Sequence, residues 1–152
     1  MSDAPFVPVG FDPPGSLVTD LFRLEPLGPE HNASDLAAWT SSIEHIRATP
    51  GYPDGDWPPL AGMSAEQNLH DLRRHADDFA ARTGFTFTVL EPERDEVIGC
   101  VYLYPPERDG YDVIVQSWVR ADRAALDGPL AAAVARWLST DWPWRRPDRC
   151  GR

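Results

Sequence analysis

Lysine is missing from this chain altogether: all 14 of its basic residues are arginine. That excludes chemistry built on an amine side chain, such as a Schiff base or the amine of a P-loop. The accompanying wealth of Arg, Ala and Pro reads as the coding bias of a GC-rich genome. Positive charge is scarce as well. With 24 acidic residues the formal charge is −10, so phosphate backbones are repelled and nucleic-acid binding is not expected. Anionic membrane surfaces are disfavoured for the same reason. Cysteine is nearly absent. Cys100 and Cys150 stand far apart with no C-x-x-C pair, so neither a zinc site nor a redox motif is signalled, and a structural pair is the less favoured alternative. No apolar run approaches the ~20 residues of a membrane span. The N-terminus shows no basic-then-apolar leader. The expected compartment is the cytoplasm.

What is present suits one domain. A chain of 152 residues, 42% apolar, can bury ~68–70% of its unfolded surface around a single core. Residues 1–20 read as a proline-rich arm, because Pro5, Pro8, Pro13 and Pro14 remove backbone donors and fix φ. Residues 21–152 read as one domain. A first strand is expected over Leu21–Leu27. Leu36, Trp39, Ile43 and Ile46 recur at helical spacing and predict one helix from Asn32 to Ala48. A proline- and glycine-rich loop follows, Pro50 to Gly62, long enough to be functional. Ser64 and Gln67 form a capping-box pattern that opens a helix over Ser64–Arg82, with Gly84 expected to end it. Phe85–Leu90 and Val97–Tyr104 predict a hairpin, and Tyr111–Val119 a third consecutive strand. A third helix is expected over Arg123–Ser139, then at most one short strand. The order β-α-α-β-β-β-α-(β) indicates an α+β sheet.

That order, the phrase Gly99-Cys100-Val101-Tyr102-Leu103 and the phrase Trp118-Val119-Arg120-Ala121-Asp122 resemble the GCN5-related N-acetyltransferase (GNAT) family from Leu21 to Ser139. The resemblance implies a mixed, mostly antiparallel sheet with helices on both faces. It implies acetyl-CoA or another acyl-CoA as co-substrate, and a small-molecule or peptide amine as acceptor. The cofactor would lie along Trp118 and Val119, with its pyrophosphate on the turn of Arg120, Arg123, Ala124 and Ala125. A helix N-terminus attracts phosphate through its free amides and dipole. Two departures stand out. The family's turn carries glycines that this chain lacks, so Arg120 and Arg123 would have to attract the phosphates. Only thirteen residues follow Ser139, and no tyrosine follows Tyr111 to protonate a departing thiolate. Either the domain is shortened, or a second copy or partner chain covers the open sheet edge. A non-catalytic GNAT-like module that binds a ligand or subunit is the alternative reading.

Acyl transfer to an amine needs a proton acceptor and an oxyanion donor. Glu44 and His45, at the end of the first helix, are candidates for the base, or are solvated helix residues. Trp39, Ile43, Tyr52, Trp57 and Gln116 are the expected substrate pocket, although Gln116 also reads as hydrogen-bonded core. Tyr102 is a candidate acid, while Tyr102 and Tyr104 alternatively pack their rings and expose their hydroxyls. Cys100, on the opposite face, reads as a small buried hydrophobe. His70 and His75 have no partner implied by spacing, and no metal pair is signalled.

Overall fold

The computed structural model describes residues 4–53 and 55–152; the first residues of the arm, 1–3, and residue 54 of the long loop lie outside that description. One sheet runs in the order β1 (Leu17–Val18), β2 (Arg23–Pro26), β3 (Phe85–Leu90), β4 (Val97–Tyr104), β5 (Val113–Val119), β6 (Pro147–Asp148). Neighbours are antiparallel except β5 and β6, which are parallel. The helices are α1 (Asn32–Thr40), α2 (Ile43–Arg47), α3 (Ala65–Ala81) and α4 (Asp127–Asp141). This is the expected α+β architecture, with the short strand foreseen after the last helix at one edge (β6) and an unforeseen two-residue strand, β1, at the other.

Strand alternation sorts the core into two layers. Phe85, Phe87, Val101 and Leu103 face α4 and the tryptophans 137, 142 and 144. On the other face Cys100 and Trp118 meet Trp39, Ile46 and Leu72 from the helices. Cys100 is fully buried, but the sequence reading put it on the wrong side of the strand. Positions 100, 102 and 104 share one face, opposite Trp118, Gln116 and Ile114 of β5. The arm belongs to the first layer. Val7 is 1% exposed, Phe6 stacks on Trp144 with ring centres 4.8 Å apart, and the Trp144 indole donates to the Phe6 carbonyl at 3.0 Å.

Three local expectations change. The first helix is not continuous: it breaks between α1 and α2, where Ser42 leaves helical geometry at φ −135°. Serine hydroxyls compete for backbone partners, and here Ser42 Oγ accepts the Ala121 amide at 2.8 Å. The last helix begins at Asp127. The residues before it, Ala121–Leu126, form a 3₁₀ turn with Arg123 at φ −122°. The capping box of α3 forms as read, but the left-handed residue ending that helix is Arg82, at φ 64°, and not Gly84. Arg82 also donates to the carbonyls of Phe11 (2.7 Å) and Pro8 (2.8 Å), holding the arm. Gly84 answers a different need: a Cβ there would sit 2.1 Å from the Tyr104 ring.

Candidate functional site

A cavity of about 270 Å³ opens between α3, the loop around Tyr52 and the middle of β4 and β5. Part of its wall is aromatic. The Trp57 ring centre lies 6.1 Å from Tyr52 and 6.4 Å from Tyr102. Three carboxylates, Asp35, Asp56 and Asp71, also line it, against one guanidinium, that of Arg74. The capped start of α3 places Asn68 and Asp71 one turn apart, and β4 brings Tyr102 up beneath them.

Asp35 reaches the cavity from α1 through a buried polar knot. Asn68 accepts from the Trp39 indole at 3.0 Å and donates to Asp35 at 3.1 Å and to Asn32 at 2.8 Å. Asp35 is 4% exposed. Burial pushes its carboxyl from 3.8 up to about 6, with the Asn68 bond pulling the other way. A buried carboxylate held at such a cost beside a cavity is a functional-site signal.

A second cluster lies where α3 crosses β3 and β4. The Tyr104 hydroxyl donates to Asp78 at 2.8 Å. His75 Nδ1 lies 2.9 Å from that hydroxyl and 3.0 Å from Thr86 Oγ1. The ring of His75 lines the cavity beside Tyr102, with ring centres 5.7 Å apart. Burial lowers His75 from 6.5 to about 4, assisted by the charge of Arg74. It is therefore neutral at pH 7.

Of the residues expected at a substrate pocket, Tyr52, Trp57 and Gln116 meet at this cavity, together with Tyr102, the candidate acid. The Tyr102 hydroxyl accepts from the Trp118 indole at 3.0 Å, and Gln116 donates to the Gly51 carbonyl at 3.0 Å. The Tyr52 hydroxyl is buried with no hydrogen-bond partner. Trp39 stands behind Trp57, 5.4 Å between ring centres, and Ile43 packs in the same cluster. Glu44 and His45 sit on α2 outside the lining; Glu44 is exposed and His45 half-buried. Sequence reasoning missed Asp35, Asn68, Asp71 and His75. The available signal was spacing: Asn68, Asp71, His75 and Asp78 follow at intervals of three and four, one face of α3.

The turn after β5 is satisfied from within. Arg120 donates to Glu96 at 2.8 Å and to Asp122 at 2.9 Å. Arg123 donates to Glu91 at 3.0 Å. Ala124 and Ala125 are exposed, and the Ala121 amide is held by Ser42. β5 itself is more open. β6 pairs only with Val113 and Ile114. Since the Arg120 amide donates toward β4, to Ile98 at 2.9 Å, ladder alternation turns the Ser117 and Val119 amides to the other edge. That edge suits the amide groups of a coenzyme A pantetheine. The turn offers its pyrophosphate no glycine amides. The notch between β5 and α4, lined by Ser117, Val134, Arg149 and Arg152 among others, measures about 10 Å³, room for roughly one water. Arg152 bridges it, bonded to both carboxylate oxygens of Asp127 at 2.9 Å.

No known family model and no curated protein matches the sequence. Solved structures do match the fold. A ribosomal-protein-S5-alanine acetyltransferase from Vibrio fischeri has a TM-score of 0.59 at 15% identity, over 81% of this chain and 66% of that one. A GnaT-family acetyltransferase from Bordetella pertussis scores 0.53 at 17%, over 84% and 74%. The microcin C7 self-immunity acetyltransferase MccE, in complex with acetyl-CoA and AMP, scores 0.60 at 12%, over 87% and 68%. This chain thus spans about two thirds to three quarters of their length, and its fold is that of the GNAT acetyltransferases.

Proposed function

We propose that this chain is a GNAT-type N-acyltransferase that takes an acyl group from an acyl-CoA to a cationic amine, small molecule or peptide, held in the cavity beside β4 and β5. One observation carries the reading: in a fold used by acetyltransferases, an acidic and aromatic cavity adjoins a strand, β5, whose outer edge beyond the short β6 pairing has no sheet partner among the described residues. Asp35, Asp56 and Asp71 attract and orient the ammonium group, and the rings of Trp57 and Tyr102 exclude water around it. The Val119 amide, on the open edge, is the candidate donor for a tetrahedral oxyanion. An acyl-CoA would supply the acyl group as a thioester, held by the Ser117 and Val119 backbone. Arg120, Arg123 and Arg152 are committed to carboxylates, which leaves Arg149 as the arginine of the notch lining to meet the phosphates.

The second reading, a non-catalytic GNAT-like module, is favoured by the internally bonded turn and the narrow notch. Calorimetric titration with acetyl-CoA decides between them. Binding that protects the protein against thermal unfolding supports the acyltransferase. No heat and no protection, with amine binding retained, leaves the module. In that case gel filtration with candidate partners asks whether a second copy or another chain adds to the β5 edge.

A further inference from the structure

We infer that His75 Nε2 is the atom on which an amine ligand of this cavity docks an N–H, and that Tyr104 and Asp78 are positioning residues that leave Nε2 free by fixing the imidazole tautomer. The inference rests on the cavity being the amine site and does not require acyl transfer.

Proton counting carries it. Tyr104 has one hydroxyl proton and gives it to Asp78, a carboxylate that only accepts. Its oxygen must then receive from a neighbour. Two atoms are within reach of the cluster, His75 Nδ1 and Thr86 Oγ1. If Nδ1 were bare, its lone pair would face the lone pairs of Tyr104 at 2.9 Å. With Nδ1–H that contact becomes a hydrogen bond from His75 to Tyr104, and the Thr86 hydroxyl can share the same proton as a second acceptor. Avoiding the lone-pair clash at Tyr104, whose own proton goes to Asp78, is what favours Nδ1–H. In a neutral imidazole that leaves the Nε2 lone pair free. Nε2 has no hydrogen bond to the described residues, while His75 lines the cavity.

The surroundings define the ligand. Asp71, one turn before His75, and Asp35 across the cavity supply negative charge; Arg74 is the opposing cation. Asp78 is committed to Tyr104. Trp57 and Tyr102 make the remaining wall apolar. A primary ammonium with a short apolar or aryl tail meets all of these: its charge is matched by the carboxylates, one N–H is accepted by Nε2, and its tail lies on the rings.

The test uses full-length protein with ¹⁵N-labelled histidine at pH 7.5, where His75 is neutral. Long-range ¹H–¹⁵N spectra, with the His75 signals assigned by their loss in His75→Gln, report which nitrogen carries the proton. The expected result is Nδ1–H in the native chain and a shift toward Nε2–H in Tyr104→Phe, a change that loss of packing alone would not produce. Phenethylamine hydrochloride should bind and move the Nε2 resonance, and phenethyl alcohol should not. Affinity should fall about tenfold in Tyr104→Phe, about one lost hydrogen bond. His75→Gln, whose amide oxygen can stand near the Nε2 position, should retain more affinity than His75→Ala. A native Nε2–H tautomer, or an amine that fails to bind or leaves Nε2 unmoved, overturns the inference. Acetyl-CoA is titrated separately. Amine docking without an acetyl-CoA response keeps this inference and removes the acyltransferase reading.

Discussion

Asp35 and His75 are pushed in opposite directions by the same cause, burial beside the cavity, and their pH signatures are therefore separable. Asp35 titrates at about 6 when folded, against 3.8. The folded state binds its proton more tightly, so its contribution to stability is complete below about 4 and is lost as pH rises through 6. By pH 7 the deficit is about 3 kcal/mol, at 1.36 kcal/mol per unit. Asp35→Asn keeps the shape and can still meet Asn68. It is expected to raise the urea midpoint at pH 7.5 and to do little at pH 4, while weakening amine binding. His75 is lowered to about 4 from 6.5. Its contribution is full above 6.5 and is lost as pH falls to 4, so His75→Gln should flatten that acid-side loss. Urea melts of both variants from pH 4 to 7.5 check the signs. Asp35 carried no local signal, and His75 only the spacing it shares with Asn68, Asp71 and Asp78 on α3. Their partners Asn68, Thr86 and Tyr104 lie on other elements, and no local pattern encodes that meeting.

Elements were read well where periodicity spoke and poorly where a single side chain decided. The β3–β4–β5 meander and α3 follow from alternation, turn chemistry and a capping box. The break between α1 and α2 does not: the apolar stripe from Leu36 to Ile46 continues straight across it, and a hydroxyl meeting the Ala121 amide ends the helix. Gly84 misled for a related reason, since the close approach it permits is to Tyr104 on another strand. Gly84→Ala should displace that ring and so perturb the His75 resonances as well as lower stability, a pairing that a simple helix-cap glycine would not give. The turn into α4 allows a sharper test. Arg152 and Asp127 close the notch by a bidentate pair, and Asp127 places negative charge at the helix start. If acyl-CoA enters there, Asp127→Asn should raise acetyl-CoA affinity severalfold, because it removes both obstacles. Calorimetry giving unchanged or weaker binding would count against entry at the notch.

At the scale of the molecule, the element order and the run of three antiparallel strands were legible because each strand keeps a period of two and each helix one apolar stripe; the placing of helices on both faces came from the family resemblance. The arm reads as irregular because of its prolines, with Phe6, Val7, Val9 and Phe11 able to pack it on the body. Phe6, Val7 and Phe11 do so, Val9 stays exposed, and Leu17–Val18 at its end forms the edge strand β1. In the structure its docking is substantial. Val7 is buried and Phe6 packs against both Phe85 and Trp144. Arg82 ties two arm carbonyls to the end of α3. These contacts join the layer under α4 to the helix that carries Asp71 and His75. Removing residues 1–12 strips the Phe6 and Val7 side chains from the core, each worth about 1.5–3 kcal/mol, and leaves Phe85 and Trp144 uncovered. At roughly 2–4 °C per kcal/mol for a domain of this size, the truncated chain should melt about 10 °C lower. Arg82→Ala, which loses two hydrogen bonds and keeps the aromatic packing, should cost a smaller part of that. The truncation should also bind phenethylamine more weakly than wild type at temperatures where both are folded, because α3 loses its anchor. A truncated chain with native melting temperature would show that the arm is appended to the core and not part of it.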